Sequence, residues 1–528
     1  MELSFSNARV EMSRQNSLCQ AGRFDLAGHQ VQVLGFPGWL VVYEDLSYET
    51  HQAEIARSLE ALVGAYLKDQ SLSHGLARLS GEFMLLVGRE GRLEQIVTSD
   101  GLPNSVYWFV DGDQLVVTDH VWRQVDRFAP MEPDSYDPRN LKYLSQKKTC
   151  IPGYTYLKGL HRFQPATIYR VENNKLKRSQ AVYPIKIHDR ELNYQDFLTV
   201  IGRRLEPGPY TLAYSSGIDS HHLLETFDDR IAEVFNIYFH PPFQDAERSK
   251  EAAASVINCA NLGRKLTHVA VDFEAPENLA WMRHAADRDP FACHYNFTMY
   301  HFFRQTGTER IMTGQNADTV QWFGLTSEIP FGWAFLGSKL PNYKSDWIRL
   351  YYRWCVQRSF GRMTGTGLLN RRLFYRIWPE VEHLVGRDGY WPFMYFKMIN
   401  NMTSGNTQLF RNAAAFFNKK VFFPYIEPLV LYVSCYWRRP LTTLRKPKAP
   451  LRALHPNCMH YKEIPRKVEQ GLDVSHTPAF KHIAGETEQL NPKLKTMFDE
   501  AAANPQARAF LYLFALGAAS HRPPGADQ

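Results

Sequence analysis

The chain has 528 residues, 44% hydrophobic and 22% charged, with a formal net charge of +7. That composition suits a soluble globular protein too long for one typical core, so two domains are expected, and it excludes a fibrous or disordered chain. The basic residues are scattered apart from short clusters such as Arg445-Lys446-Pro447-Lys448, a balance that suits an anionic ligand and argues against a nucleic-acid partner.

The N-terminus, Met1 to Arg9, lacks the charged and then apolar order of a signal peptide. The cysteines (Cys19, Cys150, Cys259, Cys293, Cys355, Cys435, Cys458) are odd in number, widely spaced and without a Cys-x-x-Cys pair. They suggest neither a disulfide framework nor a zinc site, and a cytoplasmic location is the expectation. The most apolar long segment, Val421 to Trp437, carries Pro424, Glu427 and Pro428 and falls short of a membrane span.

Up to about residue 180 the chain is strand-rich. Val31–Tyr43 and Gly81–Val87 read as strands, with an amphipathic helix over Tyr48–Tyr66 between them. Gln95–Ser99, Val106–Val110 and Gln114–Thr118 read as further strands, punctuated by Asp100-Gly101 and Asp111-Gly112. This is a layered α+β domain over residues 1–185. Its boundary lies around Gln180–Asn193, where Tyr183-Pro184 and a charged run suggest a linker before a helix over Tyr194–Arg204.

The second domain, residues 186–528, is organised around Tyr210 to Glu225. A run of strand formers leads into Ser215-Ser216-Gly217-Ile218-Asp219-Ser220 and then into an apolar stretch at helical spacing. Backbone N–H groups at the start of a helix, the positive end of its dipole and small side chains suit a polyphosphate, with Asp219 reaching it through a Mg²⁺. The bland alternative is an N-capped helix, since Ser and Asp are ordinary caps. Ala232–Phe239, a turn at Pro241-Pro242, a helix over about Ala246–Leu262 and a strand at Leu266–Val271 continue the alternation. That pattern implies a parallel sheet wound by helices on both faces, with ligands at the carboxyl ends of the strands.

The Ser215–Ser220 run is similar to the Ser-Gly-Gly-x-Asp-Ser pyrophosphate loop of the asparagine synthetase-like ATP pyrophosphatases, with Ser216 in place of the first glycine. Ile311-Met312-Thr313-Gly314-Gln315-Asn316-Ala317-Asp318, followed by Phe323-Gly324, resembles that family's second acidic motif, and Asp318 falls on its second metal-binding aspartate. The alternative there is a turn with an Asn-Ala-Asp helix cap. Tyr238-Phe239 and Asp245-Ala246-Glu247 are similar to the family's strand passing the adenine and the acidic turn after it, although Asp245 and Glu247 also suit a helix start.

Further on, Val421 to Val430 resembles the family's "R-x-P-F-L-D" segment with Glu427 for Asp, Lys448 to Arg452 its "K-x-x-L-R", and Ile464 to Gly471 its "R-x-K-x-G" loop, which favours Lys467 over Lys462.

The first domain resembles a class II glutamine amidotransferase domain. Gly81-Glu82-Phe83, Ser99-Asp100, Tyr107-Trp108 and Leu115 to Asp119 follow that family's succession loosely, and Pro152 to His161 with Pro165-Ala166-Thr167 resembles the stretch closing it. The resemblance implies a cysteine directly after the initiator Met as nucleophile; Glu2 stands there and the first cysteine is Cys19, so a degenerate scaffold is expected.

Taken together, the resemblance implies an α/β fold: a degenerate amidotransferase-like domain and an ATP-pyrophosphatase domain with a parallel sheet and extra helices. It implies an AMP-forming carbon-nitrogen ligase using ATP and Mg²⁺. Asp219 and Asp318 hold the metal; Ser215, Ser216, Gly217, Ile218, Asp219, Ser220, Gly314 and Lys448 bind ATP and pyrophosphate; Lys467, Gln315 and Glu427 are catalytic.

Among such enzymes the lasso peptide cyclases close an Asp or Glu side chain onto a peptide's N-terminal amine, alongside a leader peptidase and a precursor-recognition protein. That is the favoured expectation. A β-lactam synthetase-like or other small-molecule amide synthetase stays open, as do a glutamine-dependent amidotransferase, disfavoured by Glu2, and a non-catalytic scaffold, disfavoured by Asp219 and Asp318 together. Trp281, Phe291, Tyr295, Phe297, Tyr300, Trp322, Phe323 and Trp333 suit either a wide peptide pocket or a core.

Overall fold

The computed structural model describes residues 2–12, 19–26, 28–35, 41–44, 47–49, 60–61, 63–68, 79–80, 83–99, 106–141, 153–164, 167–181, 202, 205, 207–241, 243–291, 298–315, 317, 406–426, 449–458, 476–501 and 505–520. The N-terminal strands are Glu2–Phe5 (β1), Ala8–Glu11 (β2), Cys19–Leu26 (β3), His29–Gly35 (β4), Val41–Glu44 (β5), Ser47–Glu49 (β6) and Leu79–Ser80 (β7). Phe83–Arg89 (β8), Arg92–Thr98 (β9), Tyr107–Asp111 (β10), Gln114–Thr118 (β11), His161–Arg162 (β12), Thr167–Glu172 (β13) and Lys175–Ala181 (β14) follow. They form sheets ordered β1-β2-β11-β10-β12, β14-β13-β9-β8-β4-β3 and β6-β5-β7, antiparallel throughout except where β2 pairs with β11.

Strand alternation decides what each face covers. Ala8 and Val10 of β2 and Leu115 and Val117 of β11 meet Leu34, Met84, Leu86 and Tyr169 in one core, so the two larger sheets face each other as a sandwich. The other face of the first sheet, with Tyr107, Phe109 and Val116, enters a second core that runs on through Trp122, Tyr156, Phe291 and Phe514.

Two expectations for this half are corrected. The run Val31–Tyr43 is not one strand: β4 ends at Gly35 and pairs with β3 and β8, while β5 begins at Val41 and pairs with β6 and β7 in another sheet. The helix expected from Tyr48 starts later, since Ser47–Glu49 pairs with β5, Tyr48 opposite Tyr43, and helix is seen at residues 60–61 and 63–68. A Tyr flanked by polar residues suits a strand edge as well as a helix face, and pairing with β5 decides it.

Among the described residues the C-terminal half carries five strands, Tyr210–Ala213 (β15), Ile231–Phe239 (β16), Leu266–Val271 (β17), Arg310–Thr313 (β18) and Lys420–Phe422 (β19), all parallel and ordered β17-β16-β15-β18-β19. The described helices there are Ile218–Thr226 (α1), Ala246–Asn261 (α2), Glu277–Arg288 (α3), Thr298–Gln305 (α4), Asn406–Phe416 (α5), Ala449–Leu454 (α6), Pro478–Glu486 (α7), Pro492–Ala501 (α8) and Pro505–Ser520 (α9). The chain crosses through α1 and α2 toward one edge of the sheet, then through α3 and α4 back past β15 to β18. With right-handed crossovers that course puts α1 and α2 on one face and α3 and α4 on the other. Helix α5 packs on α3 and α4, and α6 on α1. The chain is therefore of the α/β class. The helix expected over Tyr194–Arg204 falls almost wholly outside the described residues, as does most of the linker before it.

The two halves share apolar surface and polar contacts. Arg162 on β12 and Asp289 at the end of α3 form an ion pair with side chains 7% and 2% exposed. The Tyr107 hydroxyl donates to the same carboxylate at 3.4 Å, and the Trp122 indole N–H donates to the Asp287 carbonyl at 2.9 Å. A Cβ on Gly517 would sit 2.8 Å from the Trp122 ring, so glycine lets α9 lie against it. Among the described residues no helix is long and apolar enough to cross a membrane.

Candidate functional site at the switch point of the parallel sheet

In chain order the parallel sheet reads third, second, first, fourth, fifth strand, so its direction of growth reverses between β15 and β18. Loops leaving the carboxyl ends of two such strands turn to opposite sides and leave a crevice between them, the usual ligand site of an open α/β sheet. Ala213 is paired with Thr313 at those ends. The turn Ser215–Ser220 and the segment Gly314-Gln315 therefore leave the sheet side by side.

The Ser215–Ser220 turn is held by its own hydroxyls. Ser220 Oγ donates to the Ser215 carbonyl at 2.8 Å and accepts from the Ser215 N–H at 3.1 Å, and Ser215 Oγ accepts from the Gly217 N–H at 3.2 Å. Gly217 is the N-cap of α1 with extended φ −71° and ψ 146°, and no side chain caps the helix. Asp219 lies in the first turn, partly exposed, where the helix dipole favours its charge. Ser216, Ile218 and Ser220 are buried. The capped-helix alternative thus does not describe this turn: the serines bond within the turn and leave the helix start uncapped by side chains.

Three neighbours fix the turn from outside. A Cβ on Gly314 would lie 3.3 Å from the Ser220 nitrogen and 3.6 Å from Asp219 Cβ, so the second motif's glycine admits close approach of the two loops. Asn236 on β16 donates to the Tyr214 carbonyl at 2.9 Å, fixing the end of β15. The buried Tyr425, after β19, donates its hydroxyl to the Asp219 carbonyl at 3.1 Å. Tyr425 carries no signal in the sequence beyond its place in the Val421–Val430 segment. Gln315 donates its backbone N–H to Thr313 Oγ1 at 3.2 Å.

The structure brings Ser215, Ser216, Gly217, Ile218, Asp219, Ser220, Gly314 and Gln315 to this crevice. Asp318, Glu427, Lys448, Lys462 and Lys467 lie outside the described residues. Asp245 N-caps α2, accepting from the Arg248 N–H at 2.8 Å and pairing with the Arg248 guanidinium, so it is a structural cap. Trp281, Phe291 and Tyr300 are core side chains, 3%, 0% and 2% exposed, so of the two uses expected for these aromatics the core is the one found for those three. Tyr295, Phe297, Trp322, Phe323 and Trp333 lie outside the described residues.

Behind the turn two thiols are buried. Burial pushes Cys259 up to about 11 and Cys458 up to about 12, so both stay protonated and unreactive near neutral pH. No protein-family model and no curated protein matches the chain.

Proposed function

We propose that this protein is an ATP-dependent, AMP-forming amide synthetase, and that its substrate is a peptide closed into a macrolactam between an Asp or Glu side chain and its own N-terminal amine. The observation carrying the reading is the uncapped start of α1, with small residues and Asp219, facing the Gly314 loop at the switch point. Helix starts of this kind bind polyphosphates through backbone N–H groups and the dipole. The resemblance of the Ser215–Ser220 and Ile311–Asp318 motifs to the pyrophosphate loop and second acidic motif supports the same reading.

A part-exposed carboxylate at a phosphate-binding turn fits a hard cation, and Asp219 and Asp318 would hold Mg²⁺, which supplies neutralisation of phosphate charge. The substrate carboxylate oxygen attacks the α-phosphorus of ATP, the bond to the β-phosphate oxygen breaks, and pyrophosphate leaves. Backbone N–H groups of the Ser215–Ser220 turn and Lys448 hold the departing pyrophosphate. The amine nitrogen then attacks the acyl carbon, the bond to AMP breaks, and the amine loses a proton. Lys467 stabilises the oxyanion, Gln315 orients the amine because its amide is no base, and Glu427 takes the proton. With both reacting groups on one molecule, proximity supplies much of the rate.

The test incubates the purified full chain with ATP, Mg²⁺ and a panel of linear peptides bearing a free N-terminal amine and one Asp or Glu, beside the same peptides N-acetylated. AMP and pyrophosphate with a product lighter by one water, from the free-amine peptides only, are expected. ADP as the stoichiometric product overturns the synthetase reading. Turnover of small amino carboxylates with no peptide cyclised replaces the peptide substrate by a small molecule.

A further inference from the structure

We propose that His221, Glu225 and His455 form a binding site for one divalent transition ion of the zinc class, which ties α1 to the segment following α6. The proposal goes beyond the nucleotide reading and does not depend on it. His221 and Glu225 stand four residues apart on α1, one above the other on the same face. His455 follows α6 directly, and α6 packs on α1. His221 Nε2 lies 2.8 Å from Glu225 Oε1, and His455 Nδ1 lies 2.9 Å from Glu225 Oε2. One ligand atom from each of the three lies within 4.8 Å of the others.

The surroundings are those of a built site. His221 and His455 are buried, while the Glu225 side chain is 35% exposed and opens the cluster to solvent. Each imidazole also has an outer partner: the Tyr214 hydroxyl is 3.0 Å from His221 Nδ1, and His222 Nδ1 is 2.6 Å from His455 Nε2. Metal-ligating histidines nearly always have their second nitrogen held this way, which orients the ring toward the ion. Three imidazoles converge here, with the His455 ring centroid 5.5 Å from that of His221 and 4.8 Å from that of His222. Burying them together costs hydration that a shared cation restores.

The donor set selects the ion. Two imidazole nitrogens and one carboxylate suit Zn²⁺ and its neighbours better than Mg²⁺ or Ca²⁺, which prefer all-oxygen shells. The exposed side of Glu225 leaves a fourth position for water. The cysteine spacing had suggested no zinc site; the site found uses no cysteine, and the nearby Cys458 stays a thiol. Because α1 begins at the Ser215–Ser220 turn, the ion acts by position, holding the helix behind that turn.

The test uses the full chain purified without a histidine tag and without chelators, passed over a gel-filtration column with a weak competing chelator, and metal measured by mass spectrometry. About one equivalent of zinc is expected, and Co²⁺ in its place should give the visible absorption of a low-coordinate ion. Glu225→Gln and His455→Gln should each lose the metal and the cobalt bands. His222→Phe should weaken binding about 10-fold, as for an outer-shell partner. Circular dichroism checks folding, and if His455→Gln fails to fold, the partly exposed Glu225→Gln decides. Zinc at the same level in wild type and Glu225→Gln, or none in wild type, overturns the proposal and leaves a chain of hydrogen bonds from Tyr214 through Glu225 to His222.

Discussion

The Tyr425 hydroxyl donates to the backbone carbonyl of Asp219 across 206 residues of sequence, tying the segment after β19 to the first turn of α1. Tyr425→Phe keeps the ring in its buried place and removes this bond. A stability loss of about 0.5–1.5 kcal/mol is expected by urea denaturation, with weaker binding of a fluorescent ATP analogue. Unchanged nucleotide affinity would show that the bond is structural only.

Asp219→Asn keeps the shape of the turn and removes a charge. Mg²⁺ with ATP should raise the melting temperature of the wild type, since a ligand of the native state alone stabilises it. In the variant the Mg²⁺-dependent part of that rise should vanish, and pyrophosphate release should fall by about two orders of magnitude or more, on the view that the carboxylate holds the cation. Equal shifts in both proteins would remove Asp219 from the metal site.

Gly314→Ala puts a methyl group 3.3 Å from the Ser220 nitrogen, so the two loops must part by a few tenths of an ångström. We expect a stability cost of about 1–3 kcal/mol and a larger relative loss in nucleotide binding, with Gly314→Val worse than Gly314→Ala. Titration calorimetry with ATP and Mg²⁺ measures it. Equal affinity in all three proteins would mean the loops move freely.

Arg162 and Asp289 are both buried, so removing one leaves the other's charge without its counter-charge. Arg162→Met alone should cost about 3–5 kcal/mol, and adding Asp289→Leu should restore much of it, because an apolar pair of similar size is tolerated where a lone charge is not. Chemical denaturation of the two singles and the double closes the cycle. Additive losses would show that the pair does not couple the halves.

Burial pushes His284 down to about 4 from an ordinary 6.5, with Arg288 nearby adding to the shift and Tyr300 Oη 2.9 Å from its Nδ1. The folded chain thus keeps it neutral where the unfolded chain binds a proton. Its contribution is full above about 6.5, falls as pH drops toward about 4 and then levels off. His284→Gln should flatten that part of the stability profile relative to wild type; identical slopes between pH 6.5 and 4 would refute the assignment.

What the sequence by itself determined is what short stretches decide. Strand β11 is found at Gln114–Thr118 and β17 at Leu266–Val271, where they were expected, because alternation and turn residues act over a few positions. Helix α2 begins at Ala246 because Asp245 caps it and ends near Gly263, whose φ of +67° suits the residue after a helix. The Ser215–Ser220 turn was legible for the same reason, since glycine and small hydroxyls at a strand end state their own geometry. The division of Val31–Tyr43 into β4 and β5, which join different sheets, and the strand at Ser47–Glu49 in place of a helix start both depend on partner strands.

Local pattern does not say which loops share the crevice: the resemblance implied a common site for Ser215–Ser220 and Gly314, and the strand order is what puts them side by side. Nothing near Thr313 says that β18 pairs with β15 rather than with β17, so the switch point and the contact of Gly314 with Ser220 follow only from strand order. Tyr425 beneath Asp219, Gly517 against Trp122, and His455 beside Glu225 are likewise contacts between residues hundreds of positions apart. Such contacts impose no period on either stretch, because each side chain obeys its own backbone until the sheet closes and burial brings the two together.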